Sequence, residues 1–485
     1  MKPDIILTDK INPDQSVVCI LGSNEIPEHL VLSKTEKEYA VKRLEAGDES
    51  VVINSYYKNT YLIRQKDYSE IYRSREEVRK SAFNIRKTVK SNNHEELVIT
   101  SYKSYKGAVE DFTEGFILSI YSFDRYKTVE EEDGKKSYPV RLLLHGEVNK
   151  EGLDWLKATM TAVYFARDLI NEPPNHLNAS ALAGEIKKIS EKSGFSVEVM
   201  NKGKIQSLKM GGLLAVNRGS VDPPVFCVLE WNPPDHVNSK PLVLIGKGII
   251  YDTGGINIKT GEHMDNMKTD MAGAAAVAGV IYTAAMLKMP VHVVGLIPAT
   301  DNRPGGNAYV QGDIITMHNG MTVEVGNTDA EGRLILADAL SYASRYEPEL
   351  VITIATLTGS AAMTFGNKAI AVMGNAGDKY FDLLGECGNE TYERIAKLPF
   401  WDEYGELIKS DIADIKNVGG REAGAITAGK FLERFSEYPM IHLDIAGTGS
   451  LKKDDFYRLK NGPASGLRLL SCFLKKYSEN YLKNN

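Results

Sequence analysis

The chain has 485 residues, more than one ordinary core accommodates, so two or more domains are expected. Its 43% hydrophobic and 25% charged residues describe a soluble globular protein. A net charge of -6 argues against a strongly basic protein that coats nucleic acid, although it leaves room for a local basic patch. The four cysteines, Cys19, Cys227, Cys387 and Cys472, form no C-x-x-C motif and fit a reducing compartment. Residues 1–4 lack the apolar core of a signal peptide, and the cytoplasm is the expected location.

In chain order, residues 1–150 read as one smaller α/β domain. Residues 17–22 suggest a short buried strand and turn, and residues 61–63 another strand. Residues 74–90 carry charges at helical spacing, among them Arg75, Glu76, Arg79, Lys80 and Arg86, and read as a solvated helix face. Residues 97–99 and 116–118 continue the α/β alternation, and residues 130–136 form a charged turn. A connecting helix follows over 151–172 and is broken sharply by Pro173 and Pro174. Residues 173–485 then read as a larger α/β domain with a mixed central sheet flanked by helices. Its strands are expected at 196–199, 225–230, 242–246, 291–298, 350–355 and 441–444. A helix is expected over 264–288, and its apolar stretch from 271 to 287 reads as a buried helix rather than a membrane span.

Two stretches of the larger domain concentrate chemistry. Residues 327–334 read Asn-Thr-Asp-Ala-Glu-Gly-Arg-Leu, between an alternating strand pattern at 322–325 and an apolar helical pattern from Leu334. Strand-to-helix turns of this kind hold ligands in open α/β sheets. The other stretch follows the 242–246 strand: Lys247 between two glycines, Asp252, the Gly254-Gly255 pair, Lys259, and Asp270 further on. The glycines let backbone pass close to a ligand. No Walker loop, dinucleotide turn, nucleophile elbow or H-E-x-x-H is present.

What remains is a set of acids, Asp252, Asp270, Asp329 and Glu331. Four carboxylates converging in a dry pocket would repel one another, and two divalent cations would relieve that conflict. Lys247 could then serve as a ligand through a neutral amine, because a nearby dication depresses a lysine pKa. Lys259 and Arg333 would face the substrate. Each residue alone is as readily a helix cap, a turn residue or a surface charge. Their joint placement after separate strands, with glycines around them, makes the metal reading its equal.

These stretches closely resemble the leucyl (cytosol) aminopeptidase family of dinuclear metallo-exopeptidases. The octapeptide at 327–334 is similar to that family's signature without a departure, and the stretch from Gly246 to Asp270 is similar to its first metal motif. Residues 410–417, 424–428 and 442–447 extend the likeness, so that it covers most of residues 160–475. Two departures concern neighbouring loops: Thr253 stands where Ser is common, and Val310-Gln311 where an Arg-Pro pair is usual. The N-terminal domain is similar only in its coarse α/β pattern, which suggests a macro-like domain carrying oligomer contacts.

The resemblance implies one metal held by Asp252, Asp329 and Glu331, with the Asp329 carbonyl also ligating, and another held by Lys247, Asp252, Asp270 and Glu331. It implies that Lys259 and Arg333 are catalytic. Met267, Thr356 and Gly359 would line the pocket for the N-terminal side chain, with Asn327 and Ala330 beside the leaving residue. Met267 and Asp270, three apart on a helix, would share a face. The implied activity is hydrolysis of peptides at a free N-terminus, preferably after leucine or another apolar residue. Lys259 would stabilise the oxyanion, and a bicarbonate held by Arg333 would shuttle the proton. Mn or Zn, with Mg or Co as alternatives, would be the cofactors, and a homohexamer the assembly. The rivals are a dinuclear phosphoesterase, which lacks its expected histidine ligands here, and a DNA-binding or architectural role. The basic helix at 75–90 is the only local support for the latter.

Overall fold

The computed structural model describes residues 2–128 and 137–484. The charged turn expected at 130–136 therefore lies outside the described residues. The chain divides into two compact units. One comprises Met1–Met160 with Asp454–Leu459, and the other comprises Thr161–Lys453 with Lys460–Asn485.

The first unit is built on a six-stranded sheet. Its order is Asp4–Thr8, Arg141–His145, Glu96–Tyr102, Val17–Leu21, Lys58–Arg64 and Ser50–Ser55. All neighbours are parallel except the last pair, which is antiparallel. The run Val17–Leu21 is buried along its whole length, as a strand covered on both faces must be. Residues 116–118 belong to a helix, Ala108–Ser119.

The charged stretch at 74–90 is helical, within Ile71–Asn92, but it is not a solvated face throughout. Glu76 and Arg79 are almost wholly buried, at 1% and 2% exposure. Arg79 donates from Nη2 to Asp111 at 2.5 Å and from Nε to Glu114 at 2.6 Å. Arg75 reaches Asp111 through Nε at 2.9 Å. Burial pulls the Arg79 pKa down, but Asp111 and Glu114 outweigh it and hold the guanidinium well above its usual range. Glu76 accepts from the Tyr457 hydroxyl at 2.6 Å, so residues 454–459 complete this unit's interior. Helical periodicity shows which residues share a face. It does not show that the neighbouring helix offers carboxylates to that face.

The second unit contains a nine-stranded sheet. Eight strands run in the order Ile395–Lys397, Ile370–Gly374, Met440–Asp444, Leu350–Ala355, Leu242–Gly246, Val293–Asn302, Val225–Trp231 and Ser196–Met200. The ninth, Gly248–Asp252, pairs with the far part of Val293–Asn302. Met440–Asp444, Leu350–Ala355, Leu242–Gly246 and Val293–Asn302 are mutually parallel, so their carboxyl ends share one edge. Antiparallel pairs flank them and make the sheet mixed.

The helix expected over 264–288 is shorter. Two 3-10 turns, Gly261–Met264 and Met267–Met271, precede an α-helix over Ala272–Met286. Asn266, with φ of 60°, adopts a left-handed conformation that an α-helix cannot continue through. Met267 and Asp270 still share a face, because residues three apart eclipse in a 3-10 turn. The stretch Gly261–Met286 is long and apolar enough to cross a membrane by composition, but 94% of its apolar window is buried inside the protein. This is the burial expected of a core helix made of Ala, Gly and Val.

Candidate metal centre

The carboxyl edge of the central strands gathers the predicted residues. Lys247 directly follows Leu242–Gly246, Thr356 directly follows Leu350–Ala355, and Asp252 ends Gly248–Asp252. The pairing of Gly248–Asp252 shifts register between Ile249 and Asp252, which re-aims the carboxylate. The chain then turns through Gly254 at φ of +84°, where an L side chain would be strained. The octapeptide joins Thr322–Glu324 to the helix Gly332–Ala343, as the sequence pattern indicates. Its incoming strand, however, belongs to a small three-stranded sheet rather than the central one.

Asp252, Asp329 and Glu331 each present a carboxylate oxygen within 4.8 Å of the others. The Lys247 ammonium lies 2.7 Å from Asp270 and 2.9 Å from Glu331, and donates to the Thr356 carbonyl at 3.1 Å. Thr356 in turn donates from its hydroxyl to Asp270 at 2.7 Å. Lys259 lies 2.9 Å from Asp252 and 2.5 Å from Asp329. All four proposed acids, both lysines and Thr356 thus form one connected cluster. Lys247, Asp252, Asp270 and Glu331 are buried within it, and Asp329 is half-buried at its mouth.

The electrostatics follow from crowding. Burial, then Glu331 and Asp252, push the Asp329 carboxyl up to about 7. Burial followed by Asp252 raises Glu331, and burial raises Asp270 well above the usual carboxylate range. Burial opposes the charge on Lys247, but Asp270, Glu331 and Asp252 outweigh it and raise its pKa. Glu331 keeps one buried oxygen, Oε2, without a hydrogen-bond partner among the described residues. Too many acids for two lysines, with an unsatisfied buried carboxylate oxygen, is a donor set that fits hard or borderline divalent cations.

Arg333 is the second residue of the helix Gly332–Ala343 and is 7% exposed. Its Nη1 donates to the Asn417 carbonyl at 2.7 Å, while its buried Nε has no hydrogen-bond partner among the described residues. Burial lowers its pKa to about 10, so the guanidinium remains protonated at neutral pH and cannot act as a base. Asn327 accepts from the Asp329 amide at 2.8 Å, and the Ala330 carbonyl accepts from Asn417 at 3.4 Å. Met267 is half-buried in the 3-10 turn that carries Asp270. Gly359 opens the helix Gly359–Phe365, three residues beyond Thr356, with open space where a side chain would begin.

Two residues that hold the site were given no role from sequence. Asn302, fully buried, donates from Nδ2 to Asp252 at 2.8 Å and to the Thr328 carbonyl at 3.0 Å. It therefore ties the first acid to the octapeptide. Asn417 binds the octapeptide itself, at Asn327, Ala330 and Arg333. Neutral amides give no charge pattern to find, and these contacts span 50 and 90 residues. The recurrence of Asn417 in the run at 410–417 was the one available signal.

Comparison with known proteins places these observations. Residues 164–471 match the family described as "Cytosol aminopeptidase family, catalytic domain". The probable cytosol aminopeptidase of Chlorobaculum tepidum is 45% identical over 378 residues, covering 75% of this chain and 74% of that protein. That of Geobacter sulfurreducens is 44% identical over 372 residues, covering 76% and 75%. Among solved structures, the bottromycin maturation enzyme BotP in complex with Mn superposes with a TM-score of 0.83 at 25% identity. That match covers 96% of this chain and 100% of BotP.

Proposed function

The chain belongs to the cytosol aminopeptidase family and is a metal-dependent aminopeptidase; from that premise we propose that it releases leucine and other apolar residues from the free N-terminus of peptides, using two divalent metal ions. The observation that carries this reading is the convergence of Asp252, Asp270, Asp329 and Glu331 around an unpartnered carboxylate oxygen.

One metal would be held by Asp252, Asp329 (side chain and carbonyl) and Glu331. The other would be held by Lys247, Asp252, Asp270 and Glu331. Bound there, the ions would supply Lewis acidity and lower the pKa of water. Mn or Zn suits an oxygen-rich set with one amine, with Mg or Co as alternatives, and a relative of the same fold is named as a Mn complex. Lys259, at the half-exposed mouth, donates to the oxyanion that develops at the scissile carbonyl. Arg333 holds an anion, bicarbonate by family likeness, at its unpartnered Nε and so keeps a proton acceptor beside the reacting atoms. Met267, Thr356 and Gly359 border the pocket for the released side chain, and Asn327 and Ala330 border the leaving residue. In this reading, residues 173–485 are the catalytic domain, 151–172 the connector and 1–150 an N-terminal domain with oligomer contacts. The working form is a cytoplasmic homohexamer.

Two results test the proposal. Enzyme stripped by a chelator should lose hydrolysis of a leucine anilide and regain it with Mn or Zn. Failure with every metal would end the peptidase reading. Lys259→Ala should cut kcat about 100- to 1000-fold, the loss typical of one oxyanion donor, while metal content measured by elemental analysis stays at wild type. Undiminished turnover would remove Lys259 from that role.

The DNA-binding alternative gains nothing from the geometry. Arg75 and Arg79, in the first half of the basic helix, are committed to Asp111 and Glu114.

A further inference from the structure

Asn417 meets the catalytic octapeptide at more points than its neighbours in sequence do. It is fully buried, immediately after the short strand Ile415–Lys416. Its Oδ1 accepts from the Gly326 amide at 2.7 Å and the Asn327 amide at 3.2 Å. Its Nδ2 donates to the Asn327 carbonyl at 2.7 Å and the Ala330 carbonyl at 3.4 Å. Two donors and two acceptor sites are the full capacity of a carboxamide, and all four are directed at the loop carrying Asp329 and Glu331. Its backbone carbonyl is also the acceptor for Arg333 Nη1. Its own amide donates to the Glu324 carbonyl at 3.0 Å, at the end of the strand that leads into the loop.

We propose that Asn417 is a positioning residue for the reaction: its side chain fixes the backbone that presents Asp329 and Glu331, and its carbonyl sets the direction of the Arg333 guanidinium. From Gly326 to Ala330 the loop it clamps carries, among the described residues, one backbone–backbone hydrogen bond, from the Ala330 amide to the Asn327 carbonyl at 3.3 Å. A turn in that state keeps its shape through side-chain partners. A carboxamide, with two donors and two acceptor sites on one planar group, binds both the amides and the carbonyls of the same turn, which a carboxylate cannot do.

The inference rests on the peptidase reading above, and its test separates the two. Asn417→Ala, Asn417→Ser and Asn417→Asp are compared with Asp414→Ala in full-length enzyme. Asp414 accepts from the amide and hydroxyl of Thr322 at 2.7 and 2.9 Å, so it braces the same junction without touching the octapeptide. The readouts are kcat and KM on a leucine anilide, Mn affinity of the chelated protein by calorimetry, and the unfolding midpoint. The expected result for Asn417→Ala is a fall of about 10- to 100-fold in kcat and in Mn affinity, the scale for groups that orient metal ligands. KM should stay within about threefold. Asn417→Asp, which keeps the acceptors and sets a carboxylate against two carbonyls, should lose as much. Asp414→Ala should stay near wild type in both. Should Asn417→Ala not fold, Asn417→Ser, which keeps a hydroxyl at the same place, carries the comparison. Wild-type kcat and Mn affinity in the Asn417 variants would overturn the inference, as would losses that Asp414→Ala shares in proportion to its unfolding midpoint. An inactive wild type loaded with Mn and Zn would instead overturn the peptidase reading.

Discussion

Gly332→Ala is expected to fold and yet lose at least about 100-fold in kcat/KM. A Cβ on Gly332 would stand 2.3 Å from Lys247 Cε and 2.7 Å from its Nζ. Those atoms are the far end of a flexible side chain, so the backbone need not move and Lys247 gives way. Ala at the first helical position is also a better helix former than Gly. The fold therefore survives, while the amine leaves its place between Asp270 and Glu331. Misplacement by about 1 Å at a reacting centre costs about 100-fold. Kinetics on a leucine anilide, beside circular dichroism and Mn calorimetry, check this. A variant with wild-type kcat/KM would show that the Lys247 amine is not needed where the structure puts it. The glycine of the octapeptide is thus explained by its neighbour across the site rather than by its own backbone angles.

Replacing Arg79 with Met should destabilise the first unit by about 3–5 kcal/mol, the cost of taking the buried cation out of an ion cluster whose Asp111 then keeps Arg75. Arg79 is the shared partner of Asp111, itself 2% exposed, and Glu114. Hydrogen exchange resolved by peptide would show faster opening of Ile71–Asn92 and Ala108–Ser119, with the central strands of the second unit unaffected. Exchange as slow as wild type in both helices would mean that the cluster contributes nothing.

Much of this was legible in the sequence, for a physical reason. Central strands such as Val17–Leu21 and Leu242–Gly246 are covered on both faces and so appear as unbroken apolar runs. The acids of the candidate metal centre appear as carboxylates beside glycines, because such a site needs charge and close backbone approach together. The illegible parts depend on partners distant in sequence. Residues 264–271 have helical composition, and only the left-handed Asn266 shows that the α-helix starts at Ala272. The helix at 74–90 has the charges of a solvated face, and only Asp111 and Glu114 draw Arg79 inward. Asn302 and Asn417 are neutral amides whose importance lies wholly in what they touch.

The hydroxyl that donates to Glu76 Oε2 belongs to Tyr457, 381 residues later. During synthesis the first 160 residues leave the ribosome with their sheet strands all present, but without the segment that caps this buried acid. Burial raises the pKa of Glu76, and Arg79, Arg458, Tyr457 and Lys80 act against it; Arg458 and Tyr457 arrive only with residues 454–459. The interior of the N-terminal unit is therefore completed only once residues 454–459 have been made.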